Sequence, residues 1–118
     1  MEVEISEGTV VMAGAVISCG RRIGEACIVN TSATVDHDTI IRNYVHISPD
    51  AHIAGTVSIG ENTWIGIGAV VSNNVQIVAR TIVGAGTVVV KSIRELGTYV
   101  GVPPRRIKWI FKRFDNDM

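Results

Sequence analysis

Aromatic side chains are nearly absent from this sequence: Phe, Trp and Tyr make up 5% of its 118 residues. Its interior must therefore be filled by aliphatic groups, and valine and isoleucine abound. Net charge is also missing. Eleven Lys and Arg balance eleven Asp and Glu, so no overall field draws the chain to nucleic acid or to an anionic membrane. No apolar run approaches the ~20 residues that cross a bilayer. Glu2 and Glu4, close after Met1, have the wrong sign for a secretory signal. The two cysteines, Cys19 and Cys27, lack metal or redox spacing and read as reduced thiols of a cytoplasmic protein. At this length a single domain is expected.

What the sequence does have is a period of six. Stepping by six from Ile5 through Val11, Ile17 and Ile23 to Val83 and Val89 meets only Ile or Val. The position four residues on is also restricted, from Thr9 to Ile93, with Arg21 as its one break. An α-helix repeats its apolar stripe at three and four residues, and this β-branching with 12 glycines opposes it. A six-residue unit with two inward positions fits a short strand and a corner. Three such units close a triangular coil, and residues 5–94 supply five coils of 18, a parallel β-helix and an all-β fold. Gly24, Gly60, Gly66 and Gly84, with Asn30 and Asp36, are expected to supply positive φ at the corners. The end coils need caps. Beyond the β-helix of residues 1–94, the segment 95–118 is expected to hold a short amphipathic α-helix over about 103–114. Pro103 and Pro104 would open it, and Ile107, Ile110, Phe111 and Phe114 would form its apolar face. Arg105, Arg106, Lys108, Lys112 and Arg113 would face solvent or a ligand phosphate.

Residues 18 apart stack, with strands ~4.8 Å apart. Pro49, Ile67 and Ala85 then form a column, flanked by Gly66 and Gly68 and by Gly84 and Gly86. Glycine relaxes tight corners, but two stacked Gly-x-Gly triplets also make a smooth track for a long, thin ligand that bonds to main chain. His37 is placed half a coil from that track, with Gly55 one coil above it and Asp36 and Asp38 beside it to orient the imidazole. His46 is half a coil from His37, and His52 lies on another hexad. No three histidines converge in a single chain, so a metal site would need a neighbouring subunit. Cys19 stacks below His37, but nothing nearby depresses its pKa for a covalent route.

At Asn30-Thr31-Ser32-Ala33-Thr34-Val35-Asp36-His37-Asp38, and again at Tyr44-Val45-His46-Ile47-Ser48-Pro49, the chain resembles a specific family. This is the family of sialic acid O-acetyltransferases and of bacterial UDP-amino-sugar N-acetyltransferases of the bacillosamine pathway. The resemblance covers nearly all of residues 5–107, including Ile59-Gly60-Glu61-Asn62-Thr63-Trp64-Ile65-Gly66 and Gly101-Val102-Pro103. It implies left-handed coils, a homotrimer, acetyl-CoA as co-substrate with no metal expected, and a sugar or nucleotide-sugar acceptor. It implies His37 as general base with Asp38 as its acidic neighbour, and Gly55 as the amide that holds the oxyanion. His46 would contact the acetyl donor, Ile67 and Ala85 would contact the cofactor, and Asn30 would lie near His46 towards the partner subunit.

The chain departs from that family in lacking its small N-terminal α/β domain, so it reads as a stand-alone variant or part of a longer enzyme. Arg42 and Asp50 also stand where the family more often has glycine. Neither His52 nor Trp64 has a role by motif, and packing or surface placement is expected for both. Two other classes fit the same scaffold: a non-catalytic assembly module, and a metalloenzyme like the γ-class carbonic anhydrases. The latter pair histidines five apart, whereas His46 and His52 are six apart.

Overall fold

Strands two residues long recur at every hexad, because only the Ile or Val and the residue before it lie between one corner and the next. The computed structural model describes residues 4–18 and 22–107. Its strands form three sheets, parallel except for one edge strand of the second. The first holds Glu4–Ile5, Arg22–Ile23, Ile40–Ile41, Ser58–Ile59 and Gln76–Ile77. The second holds Val10–Val11, Ile28–Val29, His46–Ile47, Trp64–Ile65, Thr81–Val83 and Gly97–Val100. The third holds Val16–Ile17, Thr34–Val35, His52–Ile53, Val70–Val71 and Val88–Val89. Pairs such as Ile28↔His46, His46↔Trp64 and Thr34↔His52 stand 18 residues apart. The fold is a left-handed parallel β-helix of about five turns.

The two periodic columns make the core. Ile23, Ile41, Ile47, Ile53, Ile59 and Ile65 are fully buried, and so are Cys27, Val45, Ala51 and Ala69 from the second column. Threonine is accepted in that second column because its hydroxyl is bonded: Thr39 Oγ1 donates to the Ala54 carbonyl at 2.9 Å and accepts from the Val57 N–H at 3.3 Å. At the first coil Ile5 and Val11 remain exposed, as no coil lies beneath them among the described residues.

The corners differ from expectation. Positive φ falls two residues after the expected hexad position, at Gly8, Gly14, Gly68 and Gly86 and at nine non-glycine residues, Ser32, Asp38, Tyr44 and Asp50 among them. From Ala26 onward the backbone N–H of these residues, Asp38 aside, donates to a carbonyl of the coil below, as Tyr44 does to Glu25 at 2.9 Å and Asp50 to Thr31 at 3.1 Å. That bond offsets the cost of the left-handed conformation. Gly24, Gly60, Gly66 and Gly84 serve another purpose, close stacking. A Cβ on Gly60 would collide with the backbone N of Ala79 and lie 2.7 Å from its Cα, and one on Gly66 would lie 2.7 Å from the Ala85 N.

The top of the helix also differs. Ile93, expected at the second inward position of its hexad, bridges to Ile77, and Thr81 pairs with Gly97, so the last coil is two residues short. The α-helix expected from 103 is not seen. Pro103 and Pro104 lie in a turn, and Arg105–Arg106 is a strand running antiparallel to Gly97–Val100. The Ile107 N–H adds a bond to the Thr98 carbonyl at 2.8 Å. An open sheet edge offered these residues backbone partners that an isolated helical turn lacks. Of the expected helix, residues 108–114 lie outside the described residues, as do Cys19 and Arg21.

Candidate active site

His37 sits in the corner between the third and first sheets, in the turn that follows Thr34–Val35. Its imidazole covers Gly55: a Cβ added there would lie 2.7 Å from His37 Cε1 and 2.8 Å from Nε2. A side chain at 55 would push the ring away from that level. The Gly55 N–H has no partner among the described residues. Asp36 and Asp38 divide their tasks. Asp36 Oδ1 accepts the His37 backbone N–H at 3.1 Å, while Asp38 Oδ2 lies 3.4 Å from His37 Nδ1, at the long end of hydrogen bonding. Adjacent residues reach one ring here because His37 and Asp38 occupy the turn, not a strand.

The glycine track occupies the corner between the second and third sheets. An open groove of about 340 Å³ runs there, lined by Pro49, Ile67 and Ala85, by Gly66 and Gly84, and by His46, Asn30 and Trp64. The N–H groups of Ile67 and Ala85 have no partner among the described residues. Both triplets are also accounted for by the fold, since Gly66 and Gly84 give clearance to the next coil and Gly68 and Gly86 adopt φ of 69°. The groove and His37 are one side of the triangle apart, the third sheet lying between their corners, not half a coil apart as the spacing first suggested.

His46 forms the lower wall of the groove. Asn30 Nδ2 lies 3.2 Å from His46 Nε2, and the Asn30 Oδ1 is fixed by the Thr31 N–H at 2.7 Å. With the amide donating, Nε2 is the acceptor and the ring proton lies on Nδ1. Burial lowers the His46 pKa, which favours the same neutral ring. The Trp64 ring packs against His46 at a tilt of 44°, with ring centroids 4.3 Å apart. Sequence reasoning gave Trp64 no role, yet it stands 18 residues after His46, the stacking distance already used for Gly55 over His37. His52 is exposed and bonded through Nδ1 to Thr34 Oγ1 at 2.8 Å. Among the described residues no group of three or more His, Cys, Asp or Glu comes together, and no helix is long and apolar enough to cross a membrane.

No protein-family model matches the chain. Among solved structures, it is similar to the acetyltransferase domain of PglB from Neisseria gonorrhoeae in complex with acetyl coenzyme A. The match has 40% identity, a TM-score of 0.88, and covers 90% of this chain and 52% of that one. A mutant of perosamine N-acetyltransferase from Caulobacter crescentus, in complex with CoA and GDP-perosamine, matches at 36% identity and a TM-score of 0.76, covering 90% and 53%. Among curated proteins, serine acetyltransferase of Buchnera aphidicola is 35% identical over 89 residues, which are 68% of this chain and 34% of that protein. The chain thus spans about half the length of these solved chains and about a third of the curated relatives it matches. In fold and in sequence, it is similar to the hexapeptide-repeat acetyltransferases that include the PglB domain and perosamine N-acetyltransferase.

Proposed function

We propose that the chain transfers an acetyl group from acetyl-CoA to an amino or hydroxyl group of a sugar or nucleotide-sugar, as a homotrimer in the cytoplasm. The observation that carries this reading is the His37 ring seated over Gly55, one side of the prism away from a groove lined by free main-chain N–H groups. The similarity to structures bound to acetyl coenzyme A and to GDP-perosamine supports it. Within one chain the two halves stand at different corners, so a neighbouring copy brings the groove of one to the His37 of the next. The donor lies along Ile67 and Ala85, with the His46 Nδ1–H and the main-chain amides as its hydrogen-bond donors.

Transfer is direct. The acceptor nitrogen or oxygen attacks the thioester carbon while His37 Nε2 takes its proton, and Asp38 at Nδ1 stabilises the imidazolium. The Gly55 N–H holds the oxyanion of the tetrahedral intermediate. That intermediate collapses by breaking the carbon–sulfur bond, and the departing thiolate recovers the proton from His37. Incubating the protein with acetyl-CoA and a panel of nucleotide amino-sugars, and reading free thiol, tests the activity. His37→Ala should lower the rate at saturating substrate by roughly 10²–10⁴, with little change in acetyl-CoA affinity. Near-normal turnover by that variant would remove His37 from the mechanism.

A further inference from the structure

The trimer of the preceding reading has a consequence for His52, and the inference here rests on it. The corner of His37 and the corner of Ile67 and Ala85 are the two ends of one side of the triangle, the third sheet. Three prisms can surround an axis with a corner or with a side turned inward, the two extremes of a continuous rotation. If they meet tip to tip through the opposite corner, at Tyr44 and Asn62, wedge-shaped gaps as wide as a whole side separate neighbours. His37 and the next groove would then stand roughly 15 Å apart, from the rise of a β-strand. Transfer needs reacting atoms within about 3–3.5 Å. If the third sheet is turned inward, the two corners meet. Transfer across the interface therefore requires the third sheet to line the three-fold axis.

The outward column of that sheet is Val16, Thr34, His52, Val70 and Val88, stacked in register. It holds no charged side chain, whereas the first sheet presents Glu4 and Arg22, joined at 3.2 Å. Valine and threonine suit burial at an axis. A histidine buried there without partners would not, because its polar nitrogens need bonds. His52 stands at the middle level of the five, and its Nδ1 is held by Thr34 Oγ1 at 2.8 Å. With that hydroxyl accepting the Nδ1–H, the Nε2 lone pair is left on the outer edge of the ring.

We propose that three His52 side chains, one from each chain, form a site on the three-fold axis for a divalent transition metal such as Zn²⁺. Water or a halide completes the coordination. Three neutral imidazoles suit Zn²⁺, Co²⁺ or Ni²⁺, and not Mg²⁺ or Ca²⁺, which take oxygen ligands. The bond from each Nδ1 to Thr34 is the outer support that metal-bound histidines characteristically have. A single chain offers no such cluster among the described residues, so the proposed site exists only in the assembly. Val16, Val70 and Val88 supply no base or nucleophile, so the ion holds the chains together and takes no part in acetyl transfer.

Co²⁺ is the probe. Titrated into metal-free trimer, it should bind at one ion per three chains and give the visible absorption of a four-coordinate, nitrogen-ligated site. His52→Ala should abolish that absorption and make the trimer dissociate at higher protein concentration in light scattering. Thr34→Val should weaken Co²⁺ binding by roughly 10–100-fold. An acetyl-transferring trimer that binds no Co²⁺, or binds it equally well without His52, overturns the metal site and leaves the transferase reading standing. A protein that transfers acetyl groups as a monomer overturns the trimer and the site together.

Discussion

Burial holds the His46 imidazole below its ordinary pKa of about 6.5, and the direction of that shift has a defined consequence. The unfolded chain takes up this proton at higher pH than the folded one. The contribution of neutral His46 to stability is therefore complete above about 6.5 and is lost as pH falls through the depressed folded value. A nuclear magnetic resonance titration of the His46 ring should give a midpoint below that of a free imidazole, and His46 bonded to Asn30 should keep its Nδ1 proton through neutrality. A midpoint above 6.5 would remove the neutral donor from the groove. The same residue also shows what single-chain spacing can reveal. His37 and Gly55, like His46 and Trp64, are 18 apart and were open to the same stacking rule. Asn30 and His46 are 16 apart, a diagonal between neighbouring strands and corners that no column predicts, and only the family resemblance brought them together.

At the scale of strand and corner, glycine has two unrelated duties, and substitutions separate them. Gly60→Ala should cost about 1–3 kcal/mol, the range for overfilling a packed site, because the new Cβ meets the backbone of Val78 and Ala79. Chemical denaturation would read the loss, and an unchanged midpoint would mean that the coils can part at little cost. Ala85→Trp meets the opposite situation, an exposed residue on an open groove. It should leave the fold intact and weaken acetyl-CoA binding by calorimetry; equal affinity in the folded variant would place the donor elsewhere. The strands were legible because each must bury an Ile or Val every sixth residue. The φ of the corners was not, since stacking clearance placed glycine in one column while hydrogen bonds to the coil below made Ser32, Tyr44 and Asp50 tolerable in another. Arg105–Arg106 was misread for a related reason: an apolar spacing of three and four says nothing about a nearby sheet edge waiting for a partner.

For the molecule as a whole, the proposed transfer needs a neighbouring copy, because one full side separates His37 from the groove. Light scattering on the purified protein should return three times the chain mass, and an active monomer would contradict the shared site. Repetition on this scale carries a hazard, since a stack of parallel strands can in principle template another turn at each end, as a growing fibril does. The upper end of this helix is built against such growth. Once Ile93 and Gly97 join their sheets two residues early, a further coil of ordinary length no longer aligns on all three sides. The reversed strand Arg105–Arg106 then occupies the exposed edge with two cations. Direction, phase and charge all change between Ile93 and Arg106, so that face of the solenoid is a poor seed for polymerisation.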